Sequence, residues 1–143
     1  MDPVTIANEA TLIYDNITKN SNAVVTRILS LYDLTATKEA LLDSYTPGQT
    51  ITYITRVENT GSASLYNLTI VDDLANGTLQ YIDTSIEGYL NGSPIEVDVQ
   101  KTANTVTFKI DNVLNPNDNV LIIFETTTPT TNPEQITNTQ TIT

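Results

Sequence analysis

The sequence contains no cysteine, no histidine and no tryptophan. Without cysteine there is no disulfide and no thiolate metal site, so packing or another covalent link must hold the chain. Losing histidine as well removes the commonest general base and the commonest metal ligand, and the thiol nucleophile is already gone. Carboxylates remain, but no motif organises them for catalysis. The chain is therefore read as a non-enzyme that takes no cofactor and no metal. The acidic, Asn-rich loop at 111–119 lacks the ligand spacing of a calcium loop and reads as a polar turn. Basic residues are scarce, with 6 Lys and Arg against 17 Asp and Glu and a net charge of -11. Such a surface repels nucleic acid and anionic membranes. No apolar run is long enough for a membrane-spanning helix, so no membrane insertion is expected. Met1-Asp2-Pro3 opens onto no basic stretch, so no secretory signal is read there: either the numbering begins at an engineered fragment, or the chain reaches its place without the usual export route.

What the sequence does have is threonine, asparagine and a period of two. Segments 50–58, 65–72, 105–110, 120–128 and 135–143 alternate, are rich in β-branched residues and end at turn formers. The breakers are Pro47-Gly48, Asn59-Thr60-Gly61, Asn76-Gly77, Asn91-Gly92, the run at 115–119, and Pro129 with Pro133. Glu39-Ala40-Leu41-Leu42 offers at most a helical turn before Pro47. Many short strands at this spacing imply a β-sandwich.

Residues 1–30 read as a separate β-hairpin, one strand over 5–14 and another over about 20–29, reversing at Asp15-Asn16. Residues 31–143 form the sandwich. The segment Ile6-Ala7-Asn8-Glu9-Ala10-Thr11-Leu12 is similar to Ile136-Thr137-Asn138-Thr139-Gln140-Thr141-Ile142, with asparagine two residues after isoleucine in both. The first copy is followed by a turn and another strand; the second ends the chain.

Several strings from Leu34 onward carry a family resemblance: Leu34-Thr35-Ala36-Thr37-Lys38, Pro47-Gly48-Gln49-Thr50-Ile51-Thr52-Tyr53, Val57-Glu58-Asn59-Thr60-Gly61-Ser62-Ala63, Leu68-Thr69-Ile70-Val71-Asp72-Asp73-Leu74, Leu114-Asn115-Pro116 and Ile136-Thr137-Asn138-Thr139. Together they resemble the bacterial and archaeal surface-repeat family called domain of unknown function number eleven. Ala75 stands where that family usually has proline, and Asn117 where it favours glycine. The resemblance implies an immunoglobulin-like sandwich used in wall proteins, adhesins and fibres, with no catalytic activity. It also implies a further strand after the closing Asn-Thr segment, and here a hairpin of that type sits at the N-terminus instead.

That shifted register reads as a polymer device. If the N-terminal strands of one copy complete the sheet of the next, the contact is head to tail and generates an open filament. Such a contact uses Ile6, Asn8, Ala10, Leu12, Val24 and Val25 on the donor side and Ile136 and Ile142 on the acceptor side. The expected partner is the chain itself, in an extracellular appendage of the cell or spore surface. The alternatives are a hairpin folded back on its own sandwich, and a repeat of an adhesin or wall protein acting as spacer or ligand-binding module.

Lys38 shares parity with Leu34 and Ala36, Asp72 with Leu68 and Ile70, and Asn138 with Ile136 and Ile142. All three are thereby expected to face the core, where a charge is rare unless paired. Some surface adhesin domains of the implied architecture form a Lys–Asn isopeptide bond beside a buried acid. Desolvation leaves the amine neutral and nucleophilic, one ammonia is lost, and the bond replaces the absent disulfides. The plainer reading has Lys38 paired with an acid and Asn138 satisfying backbone groups.

Overall fold

The structure is a computed structural model and describes residues 4–9, 11–14, 17–20, 24–28, 31–130 and 136–143. It divides into two units, Met1–Leu31 and Tyr32–Thr143.

The first unit is a long antiparallel hairpin in two ladders. Val4–Asn8 (β1) pairs with Val24–Ile28 (β4), and Thr11–Tyr14 (β2) with Ile17–Asn20 (β3). Tyr14 pairs with Ile17; the reversal expected at Asp15-Asn16 lies outside the described residues, as does Ala10. The sequence led us to expect one strand on each side, and the structure has two. Asn8 faces Val24 while Thr11 faces Asn20, so two outgoing positions stand against three returning ones. A shift of one residue exchanges the two faces of a strand, and a period-two reading cannot see it.

The second unit is an all-β, immunoglobulin-like sandwich of two antiparallel sheets. The larger contains Leu34–Ala40 (β5), Thr50–Asn59 (β6), Gln80–Tyr81 (β8), Glu87–Leu90 (β9), Ser93–Ile95 (β10) and Asn119–Thr127 (β13), ordered β10-β9-β13-β6-β5 with β8 also on β13. The smaller runs β11-β12-β7-β14, from Asp98–Lys101 (β11), Val106–Ile110 (β12), Leu68–Asp72 (β7) and Gln140–Ile142 (β14). Alternation drives both sheets. On β6, residues Ile51, Tyr53, Thr55, Val57 and Asn59 are buried, and on β13 Val120, Ile122, Phe124 and Thr126. Between the sheets, Phe108, Phe124, Tyr53 and Tyr81 form an aromatic cluster, with Phe108 and Phe124 centroids 5.0 Å apart. That spacing lies in the favourable range for ring pairs.

The turn signals find physical reasons. Asn91-Gly92 closes the β9–β10 hairpin, Leu90 pairing with Ser93, with φ of 49° and 83° as a two-residue turn of this hand requires. Asn59 is fully buried; its amide nitrogen donates to the carbonyls of Ala63 and Leu114, both at 2.8 Å, and its oxygen accepts from Gly61 N. In the loop at 111–119, Asp118 accepts from Asn115 N and from the Asn91 amide.

Three expectations need correction. Residues 39 and 40 extend β5 rather than turning, because β6 offers a ladder that continues through Leu41 N to Thr52 O at 3.0 Å; tertiary pairing overrides local propensity. The strand expected over 135–143 is regular only at Gln140–Ile142, although backbone bonds to Thr139 and Thr143 prolong its alignment with β7. Strands β8 to β11 escaped the sequence reading because they are two to four residues long and carry Gly88 and Pro94, residues that argue against a strand.

Candidate functional site

Lys38 lies on β5, an edge of the larger sheet, and Asp72 at the end of β7 in the smaller one. Their side chains meet across the sandwich, Nζ donating to Oδ2 at 2.7 Å, with 16% of the lysine side chain and 0% of the aspartate exposed. The Lys38 nitrogen also sits 4.7 Å from the centre of the Tyr53 ring, itself buried, a distance at which the ring face attracts a cation. Burial pushes the Lys38 amine below its ordinary value, against the pull of Asp72 and Asp73. Burial likewise raises the Tyr53 phenol, with the Asn138 side chain working the other way.

Asp72 is held on all sides. Its Oδ1 accepts from Leu74 N at 2.9 Å, and its Oδ2 accepts from Gln140 Nε2 at 2.9 Å as well as from Lys38. Gln140 is fixed in turn by the buried Thr55, whose hydroxyl donates to Oε1 at 2.7 Å.

Asn138 reaches the same place from the segment leading into β14. Its Oδ1 accepts from Ala75 N at 3.2 Å, and among the described residues its buried amide nitrogen finds no well-formed hydrogen bond, lying only close enough to Tyr53 to hold that phenol down. An amide donor so weakly satisfied is costly unless another role explains it. Asp73 anchors this segment: its carboxylate accepts from Thr139 N at 3.1 Å, Thr139 Oγ1 at 2.5 Å and Ala75 N at 2.9 Å. Partial burial would raise the Asp73 carboxyl, but the bonds from Thr139 and Ala75, with Lys38 nearby, outweigh that and hold it below the usual carboxylate range.

The turn that receives these groups is left-handed. Leu74, Ala75, Asn76 and Gly77 all have positive φ, at 50°, 52°, 56° and 82°. For Leu74 and Ala75 this costs about 1–2 kcal/mol each, and such strain concentrates at functional sites. A proline at position 75 could neither adopt this φ nor donate to Asn138.

Of the three residues singled out from sequence parity, Lys38 and Asp72 pair directly, and Asn138 meets them through Tyr53, over which Lys38 sits; Thr55, Asp73 and Gln140 complete the surroundings. Gln140 shares the parity of Asn138, and Thr55 that of Tyr53, so the signal for both was present. The left-handed turn had only Asn76-Gly77 to announce it. Of the residues expected at a polymer contact, Ile6 and Asn8 lie on β1, Leu12 on β2, and Val24 and Val25 on β4. Ile136 and Ile142 pack half-buried against the sandwich core, and Ala10 lies outside the described residues.

No protein-family model matches the sequence. No curated protein sequence matches it either. Solved structures do resemble it. The pilus backbone of Streptococcus pneumoniae matches with a TM-score of 0.59 and 13% identity, covering 78% of this chain and 31% of its own. The major pilin subunit of Bacillus cereus gives 0.57 and 14%, covering 94% and 42%. The collagen-binding domain of a Staphylococcus aureus adhesin gives 0.51 and 18%, covering 78% and 83%. The chain therefore spans well under half the length of the two pilins. At these identities the likeness speaks to architecture, and what it establishes is that this chain has the β-sandwich fold of pilin and adhesin domains.

Proposed function

We propose that this protein is a structural, non-catalytic module of a cell-surface fibre, its sandwich locked by an isopeptide bond between Lys38 and Asn138. The carrying observation is the cross-sheet cluster: a half-buried lysine paired with a buried aspartate, and an asparagine whose buried amide nitrogen makes no well-formed hydrogen bond among the described residues. That nitrogen is the group lost when the bond forms. In the reaction, Lys38 passes one proton to Asp72. The neutral amine adds through its lone pair to Asn138 Cγ, forming the C–N bond. The C–Nδ2 bond then breaks. The attacking nitrogen keeps one hydrogen as the amide N–H, and its second leaves with Nδ2 as ammonia. The proton on Asp72 stays there or departs as part of ammonium. Ala75 N, already directed at Asn138 Oδ1, supports the charge that develops on that oxygen.

The bond would join the strand that opens the unit to the segment that enters its last strand. Pulling on residues 32 and 143 would then load the bond, and everything between residues 38 and 138 would be spared. A fibre subunit under tension needs this, and pilin and adhesin domains share the architecture. Intact-mass measurement tests it. The full chain should weigh one ammonia less than its sequence, and Lys38→Ala should restore the sequence mass. A wild-type mass equal to the sequence mass sinks the cross-link.

A second layer, head-to-tail assembly by strand complementation, is favoured by the open edge of β14. Among the described residues β14 pairs only with β7, and an unpaired edge is a template for a strand from another copy. The N-terminal hairpin is a separate unit of suitable kind. Negative-stain electron microscopy should show fibres for the full chain and none after deletion of residues 1–30. Fibres that survive the deletion rule out strand donation. Monodisperse full-length particles favour an adhesin or wall-repeat spacer instead.

A further inference from the structure

For Asp72 to take a proton from Lys38, one of its oxygens must keep a lone pair aimed at Nζ. Leu74 N occupies Oδ1 and Gln140 Nε2 takes a second lone pair of Oδ2, leaving Lys38 the remaining contact. An amide can be turned either way, and only one orientation places a donor on Asp72. The Thr55 hydroxyl selects it by donating to Oε1 from a site with 1% exposure. Thr55 lies on β6, Gln140 on β14 and Asp72 on β7, so this chain of bonds crosses both sheets.

Resting on the cross-link reading above, we propose that Gln140, oriented by Thr55, is a positioning residue for the Lys38–Asn138 bond. It fixes the Asp72 carboxylate so that Oδ2 takes the Lys38 proton, without itself entering the reaction. Groups held by a second layer of hydrogen bonds keep the geometry that proton transfer needs, and small displacements are costly in rate. The titrating and charged groups facing this point are Lys38 from β5, Tyr53 from β6, Asp72 from β7 and Asp73 from the adjoining turn.

The test follows ammonia loss by intact mass after cell-free synthesis of the full chain, then after refolding from acid denaturant at a series of pH values. Gln140→Leu leaves the Asp72 carboxylate free to turn away from Nζ and should form the bond about tenfold more slowly or worse, the loss of position outweighing the gain in carboxylate basicity. Gln140→Glu places a second carboxylate beside Asp72, holds the proton on Lys38, and should move the rate profile to higher pH. Thr55→Val should slow the reaction, and Thr55→Ser, which keeps the hydroxyl, should restore it. A merely structural role would not produce that shift in pH or that rescue. Wild-type rates and an unchanged profile in Gln140→Leu and Gln140→Glu overturn the assignment while leaving the cross-link intact. A cross-linked peptide joining Lys38 to Gln140 also overturns it, because Gln140 would then be the acyl group. A wild-type chain that never loses ammonia overturns this assignment together with the cross-link.

Discussion

Among its described residues the sandwich contains two lysine–aspartate pairs that geometry alone barely separates. Lys38–Asp72 closes at 2.7 Å and Lys101–Asp83 at 2.6 Å. The first has 16% and 0% of its side chains exposed, the second 53% and 66%. The exposed pair contributes little, because water screens the attraction and two long side chains lose freedom. The buried pair cannot be dissected so gently. Both charges have left water, so removing one strands the other. Distance describes a contact; surroundings decide what depends on it. Here the Lys38–Asp72 pair is enclosed beside Tyr53, and the Lys101–Asp83 pair is not.

Breaking the buried pair should have the largest effect. Neither Lys38→Ala nor Asn138→Ala can close the proposed covalent loop, which on the same scale as other cross-links of this span contributes on the order of 4–5 kcal/mol. Asn138→Ala keeps the free Lys38 amine on Asp72, whereas Lys38→Ala also leaves Asp72 buried without its cation, a further cost of about 3–5 kcal/mol. Urea unfolding of both variants should therefore rank Lys38→Ala as the less stable, and equal losses would mean that the ion pair itself carries nothing.

Acid should sharpen the contrast further. The folded Asp73 carboxyl sits below its ordinary value of 3.8. Between the folded and unfolded values the unfolded chain binds more protons, so stability is fully present above 3.8 and drains as pH falls through the folded value. Asp73→Asn should flatten that acid limb in thermal melts recorded below pH 4. An unchanged limb would show that Thr139 and Ala75 do not depend on the charge.

The smallest effect belongs to the exposed pair. Lys101→Met should change unfolding free energy by about 0.5 kcal/mol or less, and added salt should shrink the difference. A loss comparable with Lys38→Ala would overturn the contrast between the two pairs.

Much of the site was legible in the sequence because parity survives along a strand. Leu68, Ile70 and Asp72 alternate with Thr69 and Val71, and β7 buries the first three. Lys38 follows Leu34 by an even step, and both are half-buried, although Ala36 between them is exposed. Asn138 faces inward for another reason. It precedes β14, its neighbour Thr139 is held by Asp73, and its own Oδ1 accepts from Ala75 N in the left-handed turn. That turn was illegible because three consecutive non-glycine residues with positive φ contradict local preference. The surrounding hydrogen bonds impose it. Strands β8 to β11 were missed for the opposite cause, since each is too short to show a period and is fixed by its neighbours. The split of the N-terminal hairpin follows from a one-residue shift that no alternation pattern records.

The central claim is the covalent lock, and the most direct measurement is the intact mass of the purified full chain with peptide mapping of the cross-link. The account predicts a chain lighter than its sequence by one ammonia and a branched peptide joining Lys38 to Asn138. A chain at its sequence mass, with both residues recovered in linear peptides, would contradict it.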